Sequence, residues 1–199
     1  VFEDIPQLKQ SLHVKESIEY HPSPLVKATL RPYQIEGVQW LLEHYNNGLG
    51  ACLADDMGLG KTLQTLSTLV AVQEKLEVEK AENIQLDLFG NEIPVAKEYL
   101  KALIVLPSSL VFNWYNEARK FTPHFRRIQY VGQDRKLLSK KLAKYDLIFT
   151  SYAVVARDFS ILEKYQFRYL ILDESQYIKN KNSKIFKAIN QLQTTHKIS

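Results

Sequence analysis

The sequence predicts an α/β fold in which a parallel sheet is covered by helices on both faces. Three observations lead there. Short apolar runs without polar alternation recur along the chain, as strands buried on both faces require. Segments with apolar residues at helical spacing separate them. A glycine-rich turn joins the first of these runs to the longest helical segment, which is a strand–loop–helix arrangement.

Composition agrees with a globular domain. The chain has 199 residues, 45% of them hydrophobic and 24% charged. These values exclude a disordered tail, a collagen-like fibre and a disulfide scaffold. The single cysteine, Cys52, cannot form an internal disulfide, which fits a reducing compartment. Histidines at 13, 21, 44, 124 and 196 form no short cluster, so a structural metal site has no ligand set. No apolar run nears the roughly 20 residues that span a bilayer, and no signal peptide opens the chain. The expected setting is therefore cytoplasmic, with no membrane partner. Charge is uneven: residues 1–100 hold 8 Lys/Arg and 15 Asp/Glu, residues 101–199 hold 18 and 7. A second half at +11 suggests a polyanionic partner, although lysine-rich helix faces also serve solubility.

The elements follow in order. Residues 1–28 mix charge with Pro6, Pro22 and Pro24 and read as an N-terminal connector. Residues 29–199 read as one domain. Leu30-Arg-Pro32 opens a helix, since proline suits the first turn, and Ile35, Val38, Leu41, Leu42 and Tyr45 give it one apolar face. Gly50–Ala54 reads as a strand and Thr62 to about Glu79 as a helix. Ala102–Leu106 is a strand, Ser109–Lys120 a helix, Arg127–Val131 a strand, and Arg135–Lys144 a basic helix. Leu147–Thr150 is a strand followed by a helix near Ala153. Tyr169–Leu172 is a strand, Ser183–Leu192 a helix, and His196–Ser199 the start of a strand cut off by the end of the chain. With Val1 in place of an initiator Met, this reads as an excised piece truncated at its C-terminal end. Residues 80–98 exceed an ordinary αβ connection and read as an insertion.

Ala54-Asp-Asp-Met-Gly-Leu-Gly-Lys-Thr62 carries the clearest chemistry. Gly58 and Gly60 allow backbone N–H groups to curl around phosphate oxygens, and the helix N-terminus adds its positive end. Lys61 is placed to reach β and γ phosphates, and the Thr62 hydroxyl to coordinate Mg²⁺. Asp55 stands where the general phosphate-loop pattern has its first glycine. The competing reading is an ordinary glycine turn capping a helix. Tyr169-Leu-Ile-Leu-Asp-Glu-Ser-Gln176 is an apolar strand ending in adjacent acids. In that position Asp173 would hold Mg²⁺ through its water shell, and Glu174 would orient and deprotonate an attacking water. An acidic helix cap is the alternative.

Five ordered segments then identify a family: Leu30-Arg-Pro-Tyr-Gln-Ile-Glu-Gly-Val-Gln-Trp40, Asp55–Thr62, Leu106-Pro-Ser-Ser-Leu-Val-Phe-Asn-Trp114, Thr150-Ser-Tyr152 and Asp173-Glu-Ser-Gln176. Over residues 29–199 the chain resembles the first RecA-like lobe of Swi/Snf-type ATPases, double-strand DNA translocases of helicase superfamily two. The resemblance implies ATP and Mg²⁺ as cofactors, with Met57 and Leu59 joining the glycines around the phosphates. It implies that Gln34 reads the adenine edge, the alternative being a solvated polar position. Ser108, Ser109 and Asn113 are implied to contact DNA, as are Thr150, Ser151 and Tyr152, the alternative for the Ser and Thr residues being helix capping. Gln176, where the better-known pattern has His, is implied to sense the γ-phosphate. Trp114 and Trp40 are expected to pack.

The resemblance further implies double-stranded DNA and a second RecA-like lobe as partners. That lobe supplies an arginine finger, so this piece alone is expected to bind ATP weakly and hydrolyse little. The intact parent would remodel or clear protein–DNA complexes. A superfamily RNA helicase and a nucleotide-gated binding module are the alternatives. Within the insertion, Gln85-Leu86-Asp87-Leu88-Phe89 resembles the peptide by which bacterial proteins dock on the DNA sliding clamp. A small hairpin packed on the lobe is the competing reading. Together these place the parent at a bacterial nucleoid.

Overall fold

The computed structural model describes residues 19–53, 59–82, 85–86, 92–93 and 100–199. Helix α1 (Pro32–Asn46) begins at the expected proline and buries Val38, Leu41 and Leu42. Gly48, at φ 67°, turns the chain away from its end. Helix α2 (Lys61–Glu82) is enclosed through its first half, where even Gln64, Thr65, Ser67 and Thr68 are buried. The Thr68 hydroxyl donates back to the Gln64 carbonyl (2.9 Å), which satisfies one of these polar groups inside the helix.

Strands β1 (Gln85–Leu86) and β2 (Glu92–Ile93) form a two-residue antiparallel ladder inside the expected insertion. The domain then alternates as the sequence predicts. Strand β3 (Ala102–Leu106) leads to helix α3 (Val111–Phe121), and β4 (Arg127–Gln129) to α4 (Arg135–Leu138). Strand β5 (Leu147–Ser151) is followed by the short helices α5 (Tyr152–Arg157) and α6 (Phe159–Leu162). Strand β6 (Phe167–Leu172) leads to α7 (Lys184–Gln191) and β7 (Thr194–Ile198). The sheet order is β4-β5-β3-β6-β7, and every neighbouring pair is parallel.

Burial on β3 shows both faces covered. Ala102, Ile104 and Leu106 pack into a core with α1, α2 and α3. The alternate residues Leu103 and Val105 pack into a second core with α5 and α7. Every residue of β3 is therefore buried, and the unalternating run is explained.

Three expectations are corrected. Of the strand expected at Gly50–Ala54, the described residues 50–53 form a parallel bridge between Ala51 and Ile198 at the sheet edge. Its described part is held by three backbone hydrogen bonds, to Lys197 and Ser199. The basic helix 135–144 is four residues of α-helix followed by a 3₁₀ segment, Ser139–Lys144. The Tyr165 hydroxyl donates to the Ser139 carbonyl (2.7 Å), and the Ser139 hydroxyl donates to the Lys136 carbonyl (2.7 Å). These bonds occupy acceptors that a continuing α-helix uses. Residues 19–28, read as connector, pack on the lobe: Tyr20 and Val26 are in the core, Ser23 donates to Glu74 (2.6 Å), and the Lys27 N–H donates to the Phe121 carbonyl (2.7 Å). No helix among the described residues is long and apolar enough to cross a membrane.

Candidate nucleotide and nucleic-acid site

Parallel pairing brings the chemistry-bearing segments to one edge. Leu106 lies opposite Ser151 in the β3–β5 register, and Val105 lies opposite Leu172 in the β3–β6 register. The loops after β3, β5 and β6 therefore leave the sheet at the same level, beside the N-terminus of α2. The Asp173 N–H still donates to the Val105 carbonyl (3.1 Å), so the acidic pair begins where the sheet ends. A cleft of about 230 Å³ lies there, lined by Lys61, Thr65, Trp114, Asp173, Glu174 and Gln176 among others. Thr62 is half-buried on the first turn of α2.

The acidic pair is held from several sides. The Trp114 indole Nε1–H donates to Asp173 Oδ2 (2.9 Å), and the Glu174 N–H donates to Asp173 Oδ1 (3.1 Å). The Tyr152 hydroxyl donates to the Asp173 carbonyl (2.7 Å). Glu174 adopts the left-handed conformation (φ 53°, ψ 48°), alone among the described non-glycine residues. Such a conformation costs about 1–3 kcal/mol. The Gln176 amide then donates to Glu174 Oε2. This is a strained turn rather than an acidic helix cap: no side-chain cap bond forms at Glu174.

On the phosphate-loop side, Leu59, Gly60 and Lys61 are described, whereas Met57 and Gly58 lie outside the described residues. Gly60 has φ 81°, and a Cβ there would overlap the Gln34 amide nitrogen. Gln34 is buried and not a solvated surface position. Its Oε1 accepts the Arg31 N–H (2.9 Å), and its Nε2 donates to the Leu59 carbonyl (3.1 Å). An amide has two N–H groups and two lone pairs, so these bonds leave one of each for a base edge. A second cleft, about 480 Å³, adjoins the first through Cys52 and Leu53. Tyr33, Gly37 and Trp40 line it from successive turns of α1, and the Tyr33 hydroxyl donates to the Leu59 carbonyl (3.2 Å). Tyr33, Gly37 and Trp40 fall at helical spacing in the sequence, off the apolar face at 35, 38, 41, 42 and 45, and nothing in that spacing alone marks a cleft.

The expected nucleic-acid loops divide. Ser108 and Ser109 are exposed on the turn before α3, and the helix cap is Leu110 without a side-chain bond. Their hydroxyls are thus not used in capping. Asn113 is exposed on the first turn of α3. Thr150 is a correction: its hydroxyl is fully buried and donates to the Tyr130 carbonyl (2.8 Å), so it faces the interior. Ser151 is also buried, and its hydroxyl caps α5 by accepting the Val154 N–H (3.4 Å). Tyr152 is buried against Asp173 and stacks on Tyr177 (5.7 Å between centroids). Burial, and then the nearby charges of Asp173 and Glu174, push its hydroxyl well above the usual phenol range. In the insertion, Gln85 and Leu86 are paired in the β1–β2 ladder; Asp87, Leu88 and Phe89 lie outside the described residues.

Among the described residues no cluster of three or more His, Cys, Asp or Glu could hold a metal by itself. Mg²⁺ does not need such a cage. It keeps several waters and takes one or two protein oxygens plus substrate phosphates. A threonine on the first turn of α2 and a carboxylate at the adjacent strand end suit that chemistry. Each Asp173 oxygen has one donor among the bonds above, which leaves a lone pair on each for a metal-bound water.

Known proteins resemble this chain in sequence and in fold. The family described as SNF2-related domain matches residues 33–199. The Sulfolobus solfataricus SWI2/SNF2 ATPase core in complex with dsDNA superposes with a TM-score of 0.73 at 38% identity, covering 91% of this chain and 33% of that one. The TATA-binding protein-associated factor MOT1 of Saccharomyces cerevisiae is 36% identical over 177 residues, 87% of this chain and 9% of that protein. The ISWI chromatin-remodeling complex ATPase CHR17 of Arabidopsis thaliana is 32% identical over 178 residues, 87% of this chain and 15% of that protein. The chain thus spans a small part of the relatives it matches.

Proposed function

This chain belongs to the SNF2-related domain family, as a first RecA-like lobe of the Swi2/Snf2 ATPases, and on that premise we propose that it is the ATP-binding half of a double-strand DNA translocase that remodels or clears protein–DNA complexes. The observation that carries the proposal is the single cleft into which Lys61, Asp173, Glu174 and Gln176 converge beside the exposed Ser108–Ser109 turn.

In this reading Lys61 neutralises the β and γ phosphates, and Thr62 and Asp173 hold Mg²⁺. The metal, when bound, draws charge from the transferred phosphoryl group. Glu174 orients the attacking water and takes its proton, with its carboxylate aimed by the left-handed backbone and the Gln176 amide. Gln176 can exchange that carboxylate for a γ-phosphate oxygen, which makes it the sensor. The base enters the Tyr33–Trp40 cleft, where Gln34 offers its remaining N–H and lone pair. Ser108, Ser109 and Asn113 take DNA phosphates, which fix position without reading sequence. A second RecA-like lobe completes the site. A sliding clamp is a further proposed partner through Gln85–Phe89, and the bacterial nucleoid the proposed location.

Glu174→Gln tests the chemistry, since it keeps shape but cannot take a proton. Hydrolysis in the protein bearing both lobes should fall by about 10²–10⁴ while ATP affinity stays within a few-fold. Duplex DNA, and not RNA, should stimulate the unmutated protein. The 199-residue chain alone should bind ATP weakly and turn over at least about 10³ times slower, lacking an arginine finger. Fast turnover by the lone lobe, or stimulation by RNA only, would overturn the reading. A protein that binds nucleotide and never hydrolyses it, even with both lobes and DNA, would be a gated binding module instead.

A further inference from the structure

Trp114 was expected to pack, and most of it does: it is 6% exposed and belongs to the core around β3 and α2. Its one polar atom does something else. A buried indole N–H needs an acceptor, and packing alone would be met by phenylalanine. Here the acceptor is the Asp173 carboxylate, 59 residues further along the chain. A hydrogen bond to an ionised oxygen is shorter and stronger than a neutral one. The second carboxylate oxygen accepts the Glu174 N–H, so two donors on opposite oxygens fix the plane of the group.

We propose that Trp114 is a positioning residue for the Asp173 carboxylate, and that it joins the Pro107–Leu110 turn mechanically to the metal-binding side of the nucleotide cleft. The joint is stiff. The Trp114 N–H donates to the Leu110 carbonyl (3.0 Å), and the Leu110 N–H donates to the Pro107 carbonyl (2.9 Å). Turn and indole therefore move as one piece of α3. Ser108 and Ser109 lie on that turn with exposed hydroxyls. A ligand that shifts the turn shifts the donor on Asp173. Apart from the neighbouring Glu174 N–H on its other oxygen, Asp173 is otherwise anchored through its backbone, to Val105 from β3 and to Tyr152 from α5. Trp114 alone among these contacts reaches the carboxylate from a nucleic-acid-facing loop. The coupling to DNA rests on the functional reading above; the positioning of Asp173 does not.

The two tryptophans give two indole N–H resonances in a ¹⁵N-labelled chain, and Trp40→Phe assigns them. The Trp114 resonance should lie downfield and exchange slowly. It should move when Asp173→Ala removes its acceptor, and again on adding Mg²⁺ with a non-hydrolysable ATP analogue. Trp114→Phe, checked for a cooperative melt, should bind the Mg²⁺-loaded analogue about 10-fold more weakly. Its affinity for the metal-free analogue should change less than about two-fold. Lost packing would weaken both alike. A resonance indifferent to Asp173→Ala, or equal losses with and without Mg²⁺, would overturn the positioning role, and the first result stands even if Trp114→Phe fails to fold. A short DNA duplex should also move the Trp114 resonance, and Ser108→Ala with Ser109→Ala should abolish that movement. Duplex binding seen by anisotropy with the resonance unmoved would overturn the coupling. No duplex binding at all would count against the DNA reading, leaving the positioning role to the nucleotide measurements.

Discussion

Replacing Asp158 by alanine should be among the most damaging single changes outside the nucleotide cleft. The Asp158 carboxylate accepts Arg135 Nε (2.6 Å), Arg135 Nη2 (3.0 Å) and the Tyr130 hydroxyl (3.0 Å). Both charged side chains are almost wholly enclosed, at 7% and 2% exposure. Removing one partner strands the other charge in the interior, which costs about 3–5 kcal/mol. For a domain of this size each kcal/mol shifts Tm by about 2–4 °C, so Asp158→Ala should melt about 6–20 °C lower. The pair itself is worth little, because desolvation offsets the attraction. Arg135→Met with Asp158→Leu should therefore recover the loss except for about 1–3 kcal/mol, the cost of leaving the Tyr130 hydroxyl without its acceptor. Thermal and urea melts of the two variants decide it. A loss below about 1 kcal/mol in the single variant, or a double variant as damaged as the single, would refute the reasoning.

The same pair predicts acid behaviour. Burial alone would push the Asp158 carboxyl up, but the hydrogen bonds from Arg135 and Tyr130 outweigh it and hold the carboxyl below its ordinary value. A depressed folded pKa contributes stability above the unfolded value near 4, and that stability is lost as pH falls through the lower folded value. Urea midpoints of Asp158→Asn should lack this part of the acid decline.

Alkali acts in the opposite sense. Burial, then the bond to Asp158, pushes the Tyr130 hydroxyl up to about 12, so its stabilisation is lost as pH rises between about 10 and about 12. Tyr130→Phe should flatten the stability profile over that window. Thr150→Val removes a buried donor and leaves the Tyr130 carbonyl unsatisfied, at a cost of about 1–3 kcal/mol. Its duplex-DNA affinity, measured by anisotropy below the melting temperature, should stay within two-fold; a large loss would return Thr150 to the DNA surface. Gly60→Ala must strain a φ of 81° and displace the Gln34 amide. ATP affinity by calorimetry should fall by at least about 10-fold, and unchanged affinity would show that the Gln34–Leu59 closure does not matter for binding.

What the sequence made legible was backbone order. The unalternating run Ala102–Leu106 announced a strand buried on both faces, and all five residues are buried. The placement of Asp173 at a strand end and of Lys61 at a helix start was legible too, and both line one cleft. Side-chain partners were not legible. Thr150 and Ser109 are both hydroxyl residues at strand-to-helix turns, yet one is sealed under Tyr130 and the other open to solvent. A single sequence carries no signal for that difference, since it depends on which neighbouring strand supplies a carbonyl. Arg135 shows the same limit. It opens the basic 135–144 segment and so adds to the +11 of the second half, but it is spent inside the fold on Asp158. Lys136, Lys140, Lys141 and Lys144 remain exposed on that segment. The basic half of the chain therefore overstates the charge available to a partner.

The loops after β3 and β5 carry different amounts of surface and do different work. The turn after β3 offers exposed hydroxyls and a rigid attachment to Asp173 through Trp114. The junction of β5 and α5 offers almost none: Thr150, Ser151 and Tyr152 are all buried, with the Thr150 hydroxyl donating to the Tyr130 carbonyl and the Tyr152 hydroxyl to the Asp173 carbonyl. Asp173 is thus gripped at its carboxylate from one loop and at its backbone from the other. Displacing α3 would rotate the carboxylate plane, whereas displacing α5 would pull the whole turn that carries Glu174. Because Glu174 already sits in a conformation that costs about 1–3 kcal/mol, a small backbone pull there meets a turn that is easier to reorganise than a relaxed one. Tyr152→Phe should therefore alter hydrolysis more than nucleotide affinity, and Trp114→Phe the reverse. Measuring kcat and the dissociation constant of the Mg²⁺-bound nucleotide for both variants separates the two routes, and parallel losses in both variants would refute the division.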